Sequence, residues 1–350
     1  PGDLLGRKRT LMLTALLFLV SAMGSAMAGS FTEFVIYRLI GGIAVGAASV
    51  ISPIYIAEVS PAEHRGRLVA LNQLTIVTGI FVSFFTNYRL EGIGADNWRW
   101  MLGIEGIPAV VFFGLLALVP ESPRWLVVKG RWQRGQEVLQ KWMDEGAARD
   151  EMERIRKAHS ATEKTSFREV LRPKYRRLAT IGIILAVLQQ FTGINVIMYY
   201  APLIFERAGF ATGSALLQTV AVGAINFVFT ILAMRFVDRI GRRPLLLVGA
   251  GSMAFFLFTL SLVFFAEMLE GYWVLVFILG FIASFAASFG PVVWVLISEI
   301  YPNHIRGVAV SLATLALWSA NFVVTGTFPS MLASWDGGFA FLFYAVINLG

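Results

Sequence analysis

Long apolar runs separated by short polar clusters dominate the chain, and their length is the first signal. A helix rising 1.5 Å per residue needs about 20 mostly apolar residues to cross the hydrocarbon of a bilayer. That rule predicts nine full spans, at residues 11–28, 34–56, 68–86, 100–119, 178–205, 216–237, 244–265, 272–300 and 308–331. A tenth run, 339–350, stops part-way along a span, and the chain begins inside a loop-like segment. Both ends read as those of a fragment lacking material on either side.

Composition agrees with this pattern. Of 350 residues, 57% are hydrophobic and 15% charged, with a mean hydropathy of +0.70. Soluble domains carry about 25% charged residues and could not hide this much apolar surface at such a length. The absence of cysteine excludes disulfide scaffolds, Cys-ligated zinc and thiol chemistry. His64, His159 and His304 lie in hydrophilic stretches, which argues against a His-rich metal centre. No GxxxxGK[ST] sequence occurs, which argues against an ATP-driven pump.

Charge sets the expected orientation. If the first loop is inside and the spans alternate, 25 of the 29 Lys and Arg fall in inner loops or, for Arg235, at the inner end of a span, the bias expected of the cytoplasmic side. The segment 120–177, with 15 basic and 9 acidic residues, is then a cytoplasmic linker. Its interspersed acids and the helical pattern over 135–156 favour a solvated helix near anionic lipid over a nucleic-acid surface.

A repeat emerges next. EVSPAEHRG (58–66) matches EIYPNHIRG (299–307) at one offset, aligning Glu58 with Glu299 and Arg65 with Arg306. Gly6-Arg7-Lys8-Arg9 matches Gly241-Arg242-Arg243-Pro244 at a similar one. Repeats in the same orientation require an even number of helices per half, the layout of transporters with two parallel six-helix halves. The charges at these junctions (Arg7, Glu58, Arg65, Glu121, Arg124, Asp238, Arg242, Glu299 and Arg306) are suited to bridging neighbouring helices as a cytoplasmic gate. Taken singly, each would be an ordinary interfacial charge worth under about 1 kcal/mol.

Polar residues inside spans carry the candidate chemistry, because they are costly there and mark pathways. Counting along the helices, Gln73 lies about 12 Å beyond Arg65, Gln189 and Gln190 about 18–20 Å beyond Arg177, and Asn226 about 13 Å before Arg235. All four fall near the bilayer midplane, and all are uncharged amides. Paired donors and acceptors without charge suit the hydroxyls of a neutral polyol or sugar. In QQFTGINVIMYYAP (189–202), Gly193 and Pro202 can loosen the helix, and Asn195 and Tyr199 share a face. Gly290 and Trp294 share another face, with Pro291 inviting a bend. Trp318, unusually deep for a tryptophan, could pack on the C–H side of a sugar, as could Trp294. Gly41, Gly42 and Gly46 suggest close helix packing. Arg38 and Glu105, charged residues well inside spans, could form an ion pair or part of a proton relay.

The stretches FVIYRLIGGIAVG (34–46), PESPRW (120–125), QQFTGINVIMYYAP, DRIGRRP (238–244) and GPVVWVLISEIYPNHIRG (290–307) resemble the sugar porter family of the major facilitator superfamily. The resemblance implies an all-α transmembrane fold of two six-helix lobes. Residues 1–119 would carry the family's helices 3–6, and 178–350 its helices 7–11 and the start of 12. Residues 120–177 would form an intracellular helical linker domain. It implies sugar contacts at Gln73, Gln189, Gln190, Asn195, Tyr199, Asn226, Gly290, Trp294 and Trp318. Arg38 and Glu105 would be the outer polar pair beside a proton-coupling carboxylate on the missing first helix. Xylose-carrying members have glutamines where this chain has Ile80 and Leu317, whereas glucose-carrying members are apolar at the first of these positions. The expectation is a cofactor-free monomer in the bacterial inner membrane that moves a pentose or hexose with protons by alternating access. It would have no nucleic-acid partner and no enzymatic activity. A uniporter of the same fold and a non-transporting sugar sensor are the alternatives.

Overall fold

A computed structural model describes residues 2–60, 65–161, 167–170, 172–268, 272–302 and 305–349, without the side chains of 65–67, 69–70, 158–161, 167–168, 238, 298–299 and 336. Among the described residues every regular element is helical. The chain forms two compact units.

The first unit comprises Pro1–Asn72 and Arg89–Glu163. It opens with α1 (Gly2–Leu5), α2 (Arg7–Met27) and α3 (Phe31–Val59), followed by the first turns of α4 (Arg65–Leu90). Ser30 caps α3 by accepting the Glu33 N–H at 3.2 Å, while Glu33 accepts the Gly29 N–H at 2.9 Å, so two of the unpaired donors at the helix start are satisfied. The broken span α5 (Asn97–Gly103) and α6 (Gly106–Leu118) returns against α2. Of the three glycines expected to serve packing, only Gly41 does: a Cβ there would lie 2.4 Å from Ser21 Oγ, whereas Gly42 and Gly46 face open space.

The linker contributes α7 (Pro123–Val128), α8 (Trp132–Gln140) and α9 (Glu145–Ala161). The single helical stretch expected over 135–156 is thus two helices. Asp144 divides them by accepting the Ala147 N–H at 2.7 Å, which starts a new helix at Glu145. Val127, Leu139, Ala148 and Ile155 form a small apolar core of the linker's own.

The second unit comprises Gln73–Tyr88 and Lys164–Gly350. The C-terminal part of α4 lies here: Phe81 stacks on Phe227 with ring centroids 6.2 Å apart, and a Cβ on Gly223 would meet Phe84 at 2.9 Å and the Phe81 backbone at 3.1 Å. After α10 (Phe167–Val170) come α11 (Pro173–Phe191), α12 (Ile194–Arg207), α13 (Thr212–Ile240), α14 (Arg242–Phe265), α15 (Trp273–Ala287), α16 (Phe289–Glu299), α17 (Arg306–Ser334) and α18 (Asp336–Ile347). A large apolar cluster including Ile197, Phe205, Leu257, Phe281, Phe328 and Phe341 ties α12, α14, α15, α17 and α18 together.

Each of the nine expected spans coincides with a helix or a broken pair of helices. Eight are long and apolar enough to cross a membrane among the described residues, and α4, at 26 residues, covers the other. The bend expected near Pro291 is a full break at Ser288, with φ −131° and ψ −85°. A proline ring crowds the carbonyl four residues earlier and offers it no N–H. That carbonyl belongs to Ala287, the last residue of α15.

Candidate functional site

All nine residues expected to contact a solute belong to the second unit. Gln189 and Gln190 end α11 with 3% and 5% exposure, among the most deeply buried polar groups of the chain. The helix stops at Phe191, and Gly193, two residues on, adopts φ +89°, a left-handed conformation that glycine enters at little steric cost. A Cβ there would also press on the Tyr344 ring at 3.1 Å. The loosening expected of Gly193 is therefore a break between α11 and α12, directly beside the two glutamines.

The break organises the amides. Asn195 Nδ2 donates to Gln190 Oε1 at 2.5 Å, and Gln189 Nε2 donates to the Phe289 carbonyl at the start of α16, at 3.1 Å. Gln189 Oε1 is left buried and without a hydrogen-bond partner, a costly condition for an amide oxygen. Thr192 Oγ1 donates to the Gln189 carbonyl at 2.7 Å, and Asn348 Nδ2 on the α18 end donates to the Thr192 carbonyl at 3.1 Å. Thr192 and Asn348 were not singled out from sequence. Their only signal there is a polar residue in an apolar run, as in YAVINLG. Asn321, buried on α17, was missed in the same way.

The remaining expected contacts are placed as follows. Asn226 is buried on α13, three residues after the glycine that receives Phe81 and Phe84, and Gln73 is half-buried on α4. Gly290 is buried and Trp294 half-buried on α16, which packs on α11 and α13. Tyr199 and Trp318 are 56% and 37% exposed. None of these five side chains shares a described hydrogen bond with the Gln189–Gln190–Asn195 group. Ile80 packs at the edge of the large apolar cluster. Leu317 is buried in a second cluster, with Ala313 and Val293.

A second polar assembly lies in the first unit. Arg7 Nε stands 3.0 Å from Glu58 Oε2, and Arg7 Nη1 is 2.8 Å from Asp3 Oδ1. Glu58 also accepts the Ser122 hydroxyl. Glu121 serves as a cap: its Oε1 accepts the backbone N–H groups of Arg7, Lys8 and Ser122 at 2.9, 3.0 and 2.9 Å. Arg7 and Lys8 open α2, so the carboxylate sits at the positive end of the helix dipole. Trp125 Nε1 donates to the Asp3 carbonyl, and Tyr55 hydroxyl to the Pro120 carbonyl. The linker is thereby fastened to the α2 and α3 ends.

In the repeat's second copy, Arg306 donates to the Tyr301 carbonyl at 3.3 Å, and Arg242 opens α14 as Arg7 opens α2. The side chains of Arg65, Asp238 and Glu299 lie outside the described residues. Arg38 and Glu105 approach within 3.6 Å, each about half exposed.

Comparison with known proteins gives this architecture a family. The model for "Sugar (and other) transporter" proteins matches residues 1–350. The chain belongs to that family. It is 41% identical to the D-xylose-proton symporter of Escherichia coli (strain K12) over 374 residues, covering 98% of this chain and 76% of the relative. It is also 41% identical to the glucose transport protein of a Synechocystis species over 367 residues, covering 98% and 78%. A solved structure of the xylose transporter of E. coli, in a partially occluded inward-open conformation, superposes with a TM-score of 0.88. That match has 39% identity and covers 99% of this chain and 80% of the other. The fold is therefore that of the major facilitator superfamily, in a multi-pass membrane protein of a transporter rather than an enzyme family.

Proposed function

We propose that the protein moves a monosaccharide across the bacterial inner membrane by alternating access, coupled to protons. The buried, uncharged amide group at the α11–α12 break carries this reading. Gln189 Oε1 has no partner among the described residues, and the bond between Asn195 and Gln190 uses one polar atom of each amide, so Gln190 Nε2 and Asn195 Oδ1 can serve a solute. Two acceptors and a donor within a few residues match the hydroxyls of a neutral sugar, and no charged side chain in the group is there to balance an ion.

Gln73, Asn226, Gly290, Trp294, Tyr199 and Trp318 complete the contacts, with the indoles packing against the sugar's C–H face. Relatives that transport xylose with protons and glucose support a pentose or hexose substrate. Arg38 and Glu105 serve the proton-coupling region. The Arg7–Glu58–Glu121 assembly and its repeat, with Arg65, Arg124, Asp238, Arg242, Glu299 and Arg306, form the inner gate. Two lobes, 1–119 and 178–350, rock about the cytoplasmic linker 120–177.

Uptake of D-xylose and D-glucose into proteoliposomes with and without an inward proton gradient tests the reading. Gln190→Ala is expected to weaken affinity by roughly tenfold to a hundredfold, since a buried amide loses its partner. Wild-type uptake that neither saturates nor responds to the gradient refutes proton-coupled sugar transport. Unchanged affinity in Gln190→Ala refutes the site.

A further inference from the structure

The break that positions the candidate sugar amides is held from outside its own helix pair. Ending α11 at Phe191 and restarting at Ile194 leaves backbone carbonyls without the helical N–H four residues on. Two are satisfied locally: Gln189 by the Thr192 hydroxyl, and Gln190 by the Gly193 N–H at 3.2 Å. The Thr192 carbonyl is satisfied instead by Asn348, 156 residues away. Asn348 Nδ2 also donates to the Tyr344 carbonyl one turn back, at 2.8 Å, which fixes the amide's orientation. The Tyr344 ring rests against Gly193. Asn348 is 8% exposed, and its Oδ1 has no partner among the described residues. An amide with an unsatisfied buried oxygen is poorly explained as a stabilising packing residue, because a leucine would fill the space without that cost.

We infer that Asn348 is a positioning residue for the sugar site: by holding the Thr192 carbonyl it sets the α11–α12 break at the angle that brings Asn195 onto Gln190. This rests on the proposed sugar-binding role of Gln190. Asn348 has no hydrogen bond to Gln190 or Asn195 and acts through Thr192. Gln190 Oε1 and Asn195 Nδ2 lie on opposite sides of the break, so their 2.5 Å bond depends on the hinge between them. Gly193 has no side chain to stiffen that hinge. α18 therefore supplies the restraint that the two half-helices lack.

The test uses the purified full chain and two near-isosteric variants, with D-xylose and D-glucose as probes and quenching of tryptophan fluorescence as the readout. Asn348→Leu removes the donor, and Asn348→Asp puts an oxygen against the Thr192 carbonyl. Both are expected to raise the Kd for the bound sugar by about threefold to thirtyfold. In the Gln190→Ala background Asn348→Leu is expected to add less than about twofold, because the contact it positions is already gone. Thermal unfolding separates a structural role, which would lower the melting temperature and leave Kd unchanged. Wild-type Kd in both variants, or effects that multiply fully with Gln190→Ala, overturns the inference while leaving the sugar site intact. Absence of binding by the wild type overturns the sugar site and this inference together.

Discussion

Replacing Glu121 tests how the linker is joined to the transmembrane helices. Its Oε1 accepts three backbone N–H groups at 2.9–3.0 Å, two of them from the first residues of α2. Hydrogen bonds to a charged group contribute about 1.5–3 kcal/mol each when buried. This carboxylate is only half-buried, however, and water can replace it at the two α2 donors. Loss of a helix cap typically costs about 0.5–2 kcal/mol, and the third bond, to Ser122, adds to that. Glu121→Ala is therefore expected to destabilise by about 2–3 kcal/mol. At the two to four degrees per kcal/mol typical of larger domains, that is a drop of roughly 4–12 °C in melting temperature. Glu121→Gln keeps an acceptor oxygen and loses the charge, so it should cost about half as much. Gly6 offers an internal check. Its φ of +102° disfavours any side chain, and a Cβ there would lie 2.2 Å from Glu121 Oε2. Gly6→Ala should displace the carboxylate, and the double variant with Glu121→Ala should be less destabilised than the sum by about 1 kcal/mol. Thermal unfolding of the purified protein in detergent measures all four species. A melting temperature for Glu121→Ala within one degree of wild type, or strict additivity, would refute the capping argument.

Other consequences can be measured separately. Tyr301 is 1% exposed, and its hydroxyl, against Gly182, has no partner among the described residues, so Tyr301→Phe should leave stability unchanged or raise it by about 1 kcal/mol. Burial also pushes the Tyr301 phenol above its ordinary value of 10.0. The unfolded chain therefore ionises first, and stability is lost as the pH rises past about 10; that alkaline loss should be smaller in Tyr301→Phe on a pH series of melting curves. Glu58→Gln should free Arg7 and favour the state open to the cytoplasm. Because the chain has no cysteine, a single thiol at Ser52, on the same helix as Glu58, reports this as faster labelling from the inner side. An unchanged rate argues against the gate. Ile80→Gln restores an amide found in xylose-carrying relatives, and competition uptake should shift towards D-xylose by several-fold.

Elements whose logic is local were legible in the sequence. The span positions follow from run length, and the break at Gly193 from a glycine placed beside paired glutamines. Arg7 and Glu58 stood out as junction charges because each recurs in the repeat, as Arg242 and Glu299. What escaped depended on residues far away in the chain. Glu121 caps a helix 113 residues earlier, and nothing in PESPRW distinguishes a capping carboxylate from one paired with Arg124. Asn348 serves a carbonyl that is unpaired only because another helix breaks. Pro291 announced a bend, but its extent, a full break at Ser288, follows from the ring acting on the carbonyl four residues before it. Gly42 and Gly46 were read as packing residues too, yet no described atom lies within 4 Å of where a Cβ on either would stand.

The seating of Phe81 and Phe84 against Gly223 and Phe227 has a practical consequence for dissecting the molecule. The sequence repeats itself on either side of the linker, which invites severing it there and expressing the pieces apart. A piece beginning after the linker would lack Gln73–Tyr88, leaving a bare glycine groove and unshielded phenylalanines on α13. Such a piece should aggregate when produced alone and become soluble in detergent when the earlier piece is co-expressed, because the duplication written in the chain is not where the folded molecule comes apart.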